Sequence, residues 1–172
     1  DETLASGSLV MTPEIKEFEN DICNYVKSKN CVTLNAGTDA LMMALWAMGV
    51  KEGDEVITSP ISFVATIGAI IHVKAIPVFV DVNDDLNINV DKIKDKITSK
   101  TKVIMPVHWT GRVCNMEKIL DIASKFNLKV IEYSAQGMRS YFKSQHGGTF
   151  VGIVICSAHP LKKFNAIGDS GL

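Results

Sequence analysis

Five apolar stretches constrain the fold of this chain more than any other feature: "DEVITS", "IPVFVDV", "TKVIMPV", "LKVIEY" and "VGIVICS". Each is β-rich, and its apolar residues run on instead of alternating with polar ones. A strand with one face in water alternates, whereas a strand covered on both faces does not. Parallel sheets are covered in this way, because each return to the starting edge needs a crossover, usually a helix. Helical segments do separate the runs, near "SFVATIGAIIHVK", "NVDKIKDKI" and "NMEKILDIASKF". Upstream, "TPEIKEFENDICNYVKS" places Ile15, Phe18, Ile22 and Val26 on one face, with Thr12 as N-cap, Pro13 at the first helical position and Glu14 in the first turn. A short strand "CVTL" follows, then "TDALMMALWAMGV", a helix apolar nearly all round, expected to be buried and to end at Gly49. This βαβα alternation predicts a doubly wound α/β layer structure.

The 172 residues suffice for one domain with a real core, and neither a linker nor a repeat divides them. A formal net charge of −1 gives no electrostatic argument for nucleic acid or an anionic membrane. No apolar run approaches the ~18 residues of a membrane helix, and the acidic start "DETLASGS" does not read as a signal peptide. Cys23, Cys31, Cys114 and Cys156 stand apart from one another, with no C-x-x-C pair. That pattern predicts free thiols in a reducing cytoplasm.

Chemistry concentrates where strands are expected to end. "LNAGTDAL" is strand, glycine turn and helix start. Gly37 allows a tight backbone path, and the amides at Thr38 and Asp39 suit a phosphate at a helix N-terminus. Taken alone, the stretch reads better as an ordinary capped helix with Thr38 or Asp39 as N-cap. "SPISFVAT" puts Phe63 after a strand end, as a core residue or a stacking platform. "PVHWTGR" ends a strand with His108 and Trp109, and a structural role is the default for His108. "VIEYSAQGM" carries Glu132, Tyr133 and Gln136 out of the next strand, towards a ligand or into a polar loop. In "CSAHPLKK", Ser157 offers a hydroxyl, Pro160 fixes a turn, and two lysines follow. A Schiff-base lysine must be held at one point and kept from full solvation, which such a turn provides; adjacent lysines are equally a solvated pair.

In order, "GSLVMTPEIKEFE", "NAGTDAL", "GDEVITSPISFVAT", "PVFVDV", "PVHWTGR", "VIEYSAQ", "SAHPLK" and "NAIGDSG" resemble the DegT/DnrJ/EryC1/StrS sugar aminotransferases over nearly the whole chain. The resemblance implies a three-layer α/β/α fold with a mostly parallel central sheet. It corresponds to the large domain of type I pyridoxal-phosphate (PLP) enzymes over residues 1–172, without the end of that domain or the smaller C-terminal one. It also implies pyridoxal 5'-phosphate as cofactor, with the pyridoxamine form in the half-reaction. Lys162 matches the Schiff-base lysine, Ser157 and Gly37-Thr38-Asp39 the phosphate site, Phe63 the ring-stacking aromatic, and Gln136 the residue near the phenolic oxygen. Glutamate would load the cofactor, which then aminates a nucleotide-linked keto sugar, as in surface-polysaccharide synthesis. The family's habit further implies a cytoplasmic homodimer. Sugar-dehydrating relatives carry histidine in place of the lysine, so Lys162 argues against them.

Departures from the pattern accompany the resemblance. Tyr133 stands where an aspartate pairs with the pyridine nitrogen, and a phenol with pKa ~10 cannot supply that charge. Arg139 replaces the usual glycine, "FVGI" a common "FGDI", Lys163 an asparagine, and Ser170 a glycine of "GDGG". Tyr133 is therefore expected to touch the cofactor while weakening its binding and its electron withdrawal. The alternative is a non-catalytic homologue that keeps the fold and the cofactor without turnover.

Overall fold

The computed structural model describes residues 5–7, 12–162, 164, 166 and 168–172. It divides into two compact units, Asp1–Thr33 and Leu34–Leu172. The first unit is dominated by α1 (Pro13–Val26), entered through Thr12 in extended conformation and Pro13 in the first turn, as expected. The Thr12 side chain makes no capping bond; its carbonyl instead accepts the Ile15 amide at 3.1 Å. Lys27 closes the helix in the left-handed region at φ 57°. Glu19 accepts both the amide and the hydroxyl of Thr33, at 2.9 and 3.1 Å. The Thr33 amide is the main cause that holds the Glu19 carboxyl below its ordinary range.

The second unit holds the sheet. In chain order its elements are α2 (Gly37–Ala47), β1 (Glu55–Thr58), α3 (Val64–His72), β2 (Ile76–Phe79), β3 (Thr101–Ile104), α4 (Met116–Lys125), β4 (Lys129–Val130), β5 (Glu132–Tyr133), β6 (Tyr141–Phe142), β7 (Gln145–His146) and β8 (Val154–Ile155). Four strands pair in the order β2-β1-β3-β4, all parallel, and β5 pairs parallel with β8. The ladders join, since Ile131 donates to the Ile104 carbonyl at 3.1 Å and Tyr133 to that of Pro106 at 3.0 Å. Beyond β8, Gly171 lies antiparallel between Ser157 and Leu34. The "CVTL" segment is thereby reduced to a single bridge at Leu34.

Continuous apolarity has the physical cause expected of it. Successive strand residues point to opposite faces, and both faces are covered. Val56, Val103 and Ile131 enter one core with Leu41 and Leu45 of α2 and Ala69 and Ile70 of α3. Their neighbours Ile57, Ile104 and Val130 enter a second core with Met116, Ile119 and Ile122 of α4. The result is the expected three-layer α/β/α arrangement with a mostly parallel sheet.

One expected helix is absent. "NVDKIKDKI" forms two short 3-10 turns, Val90–Lys92 and Lys94–Lys96. Val90 and Ile93 are three residues apart, so a three-residue turn is enough to bury both. The Asn89 side chain also accepts the Asp91 amide, fixing the first turn. Residues 137–150 make an excursion containing the antiparallel β6–β7 hairpin. Lys143 there meets both carboxylate oxygens of Glu117 at 2.6 and 2.7 Å, an exposed pair of small net value.

Arg139 opens this excursion at φ 68°, the left-handed region in which a side chain clashes with its own backbone. A glycine there removes that strain at the cost of a more flexible unfolded chain. Arg139→Gly should stabilise the protein by about 0.5–1 kcal/mol in urea unfolding; a loss of stability would show that Arg139 contributes contacts worth more than its strain.

Candidate active site

Every loop that follows a parallel strand leaves at the same edge of the sheet, where α/β folds place ligands. Phe63 follows β1, Trp109 follows β3, Tyr133 ends β5 with Gln136 just beyond it, and Lys162 follows β8. These residues, with Val107, His108 and Ala135, line one cleft that is partly open to solvent. Lys162 Nζ stands 5.6 Å from the centre of the Phe63 ring, which is 54% exposed. An ammonium over an aromatic face is favourable, and the contact holds the amine at the cleft.

At the Leu34 end, α2 begins at Gly37 with Ala36 as N-cap and no side-chain capping bond. This differs from the expected N-cap at Thr38 or Asp39. Both lie inside its first turn, so their amides, with that of Gly37, have no acceptor among the described residues. The entry is a close approach: a Cβ on Gly37 would stand 3.2 Å from Ser157 Cβ and 3.3 Å from its Oγ. A Cβ on Gly171 would stand 2.6 Å from the Gly37 nitrogen, so the backbone at Gly171 lies directly against the start of α2. Ser170, in the departed "GDSG" motif, donates its hydroxyl to the Leu34 carbonyl at 3.3 Å. The buried Ser157 hydroxyl thus lies beside the start of α2, whose first amides are the kind of donors that suit an anion.

Glu132 does not line the cleft. Strand alternation sends it to the opposite face from Tyr133, where it is fully buried. Its Oε1 lies 2.8 Å from His108 Nε2 and accepts the Gly148 amide at 2.5 Å, while Oε2 accepts the Phe150 amide at 3.0 Å. The Cys114 amide donates to His108 Nδ1 at 3.3 Å, so the ring proton belongs on Nε2, facing the carboxylate. His108 is the structural residue expected, although its ring also reaches the cleft wall. The pair ties the ends of β3 and β5 to the 137–150 excursion. Sequence reasoning did not find this link; its partners are amides 16 and 18 residues away, with no side-chain signal.

Gln136 is oriented by one bond: its Oε1 accepts the Thr110 amide at 2.8 Å, leaving the NH₂ group as the free donor. Tyr133 is 6% exposed, and burial pushes its phenol up to about 12. It therefore stays a neutral hydrogen-bond donor and brings no negative charge. Lys163 lies outside the described residues. None of the four cysteines is in a disulfide, and burial pushes Cys114 up to about 12. Among the described residues no helix is long and apolar enough to cross a membrane.

The fold is that of solved aminotransferases. NtdA of Bacillus subtilis, solved with its bound cofactor PMP, superposes with a TM-score of 0.93 at 36% identity, covering 99% of this chain and 38% of that one. An aminotransferase from Psychrobacter cryohalolentis superposes at 0.94 with 34% identity, covering 99% of this chain and 44% of its own. The model of the DegT/DnrJ/EryC1/StrS aminotransferase family matches residues 1–172, and the chain belongs to that family. It is 38% identical to the spore coat polysaccharide biosynthesis protein SpsC of Bacillus subtilis, over 99% of this chain and 44% of SpsC. It is 42% identical to the GDP-perosamine synthase of Escherichia coli O157:H7, over 79% of this chain and 38% of that protein. The chain thus spans less than half the length of these relatives.

The buried phenol gives a pH signature. An unfolded chain ionises Tyr133 near its ordinary value of 10.0, whereas the folded chain does so at about 12. The stability this contributes is complete below the lower value and is lost as pH rises through the upper one. The gap corresponds to about 2–3 kcal/mol. Urea unfolding of Tyr133→Phe should therefore lose less stability than the parent between those two pH values, by about that amount. Parallel curves would mean that Tyr133 ionises freely in the folded protein.

Proposed function

We propose that this chain is the cofactor-binding large domain of a PLP-dependent nucleotide-sugar aminotransferase, passing an amino group from glutamate to a keto sugar of surface-polysaccharide or related synthesis. The observation that carries it is the uncapped, glycine-opened start of α2 against Ser157, on the same sheet edge as Lys162 over Phe63. The residues fit the cofactor at two of its ends. The amides of Gly37, Thr38 and Asp39 and the Ser157 hydroxyl would hold the phosphate. Lys162 would meet the carbonyl, and the Phe63 face would cover the ring and exclude water. The NH₂ of Gln136 would donate to the phenolic oxygen.

When bound, the cofactor supplies an electrophilic carbonyl and an electron-withdrawing ring. Lys162 would carry the proton transfers at Nζ, its amine kept at the cleft by the Phe63 face. At the ring nitrogen the fit changes character, because Tyr133 offers a neutral hydroxyl where a carboxylate would stabilise positive charge. That observation favours a second reading, a homologue that binds the cofactor without turnover. A homodimer is part of the proposal, supported by the exposed apolar side chains Met43 and Trp46 on α2 and Val64 and Ile71 on α3. Cytoplasmic location belongs to the same reading and is supported by the family's small-molecule substrates.

Three measurements test these points. Pyridoxal phosphate should give an absorbance band near ~410–430 nm and, after borohydride, a cofactor-mass adduct on Lys162 that Lys162→Ala abolishes. An adduct elsewhere, or none, would overturn the cofactor reading. Gly37→Val should weaken pyridoxal phosphate at least about tenfold while sparing phosphate-free pyridoxal, since its side chain intrudes on the proposed phosphate site; equal loss for both would place the phosphate elsewhere. Tyr133→Asp should raise the cofactor affinity and the glutamate half-reaction together, and no gain in either would sink the role given to Tyr133.

A further inference from the structure

Lys162 lies on a turn, outside any helix or strand, so something must hold that turn. Pro160 has no amide proton, and the other amides from Ala158 to Lys162 are all matched to acceptors. Ala158 donates to the Ser170 carbonyl at 2.8 Å and Lys162 to the His159 carbonyl at 2.8 Å. His159 donates to Ser157 Oγ over a long 3.4 Å. Leu161 donates to the ring nitrogen Nδ1 of His159 at 3.1 Å. The last bond reaches back two residues, the geometry in which an Asn or Asp side chain mimics a turn. It requires a lone pair on Nδ1, which places the ring proton on Nε2. Leu161 itself is 87% exposed and packs against little, so side-chain burial does not fix this segment.

We propose that His159 is a positioning residue for Lys162: its Nδ1 closes the Pro160–Leu161 turn and thereby sets the lysine amine against the Phe63 ring. The inference rests on Lys162 being the working amine of the proposed function, but its geometry is independent of any cofactor. Asparagine at this position presents a carbonyl oxygen where Nδ1 stands. Glutamine carries its carbonyl one bond further out, near the Nε2 position, and alanine has no acceptor.

Trace acetylation with acetic anhydride reads the turn directly. The measured quantity is the labelling rate of Lys162 relative to exposed Lys100 in the same sample, by peptide mass spectrometry. His159→Ala and His159→Gln should each raise that ratio roughly fivefold, the population change expected for one ordinary hydrogen bond. His159→Asn should keep it within about twofold of the parent. A ratio unmoved in the Ala and Gln variants, or raised equally in Asn, would overturn the proposal. If the Ala variant fails to fold, the contrast between Asn and Gln decides alone. Borohydride trapping of pyridoxal phosphate on the parent separates the two claims. Absence of trapping with the labelling pattern intact removes the cofactor reading and leaves the role of His159 standing. Trapping with no labelling contrast removes the role of His159 alone.

Discussion

The rest of the structure depends on the parallel register of the central sheet. Because β1, β3, β5 and β8 all run the same way, every residue that follows them emerges at one edge. Phe63, Trp109, Tyr133, Gln136 and Lys162 come from loops far apart in sequence, yet they meet without any of those loops being long. The register is protected by the two cores. Val56 and Ile57, Val103 and Ile104, and Val130 and Ile131 face opposite layers. A one-residue slip would exchange the two sets and present each helix layer with the wrong shapes. Packing far from the cleft therefore fixes the cleft's geometry.

The same alternation divides labour at the end of β5. Tyr133 faces the cleft, and its neighbour Glu132 faces away, where it gathers His108 and two backbone amides. A buried carboxylate is costly unless its oxygens are matched. Here three donors converge on two oxygens, so an amide side chain would put its NH₂ against one of them. The arrangement belongs to a carboxylate and fastens the strand that carries Tyr133 and Gln136.

How much of this is readable from the sequence follows from the range of each interaction. The apolar runs report burial on both faces because that depends on each segment alone, and the three-layer fold follows. The strand-end position of Phe63, Gln136 and Lys162 is equally local. The N-cap of α2 is not. Thr38 and Asp39 are good capping residues by type, but the cap falls on Ala36, two and three residues earlier, where Ser157 and Gly171, more than a hundred positions away, approach the helix entry. Glu132 is hidden for a related reason, since backbone amides leave no mark in a sequence. The 3-10 turns at Val90–Lys96 fail as a helix because burying two residues three apart needs no more than a turn.

The departures from the family pattern differ in physical kind, and the difference bears on what this chain has kept. Arg139 adds backbone strain on an exposed excursion, a cost to the fold with no contact at the cleft. Ser170 is accommodated, its hydroxyl bonded to Leu34 beside the crowded Gly171. Tyr133 costs the fold nothing comparable, since an apolar ring buried against the α2–α3 core is easier to desolvate than a lone carboxylate. Active sites often hold groups that a fold would be more stable without, so replacing one trades function for stability. The exchange at Tyr133 has that sign, while Gly37, Ser157 and Lys162 keep the arrangement proposed for a cofactor cradle. Any loss of function in this chain would therefore begin in the electronics of the site, before its architecture.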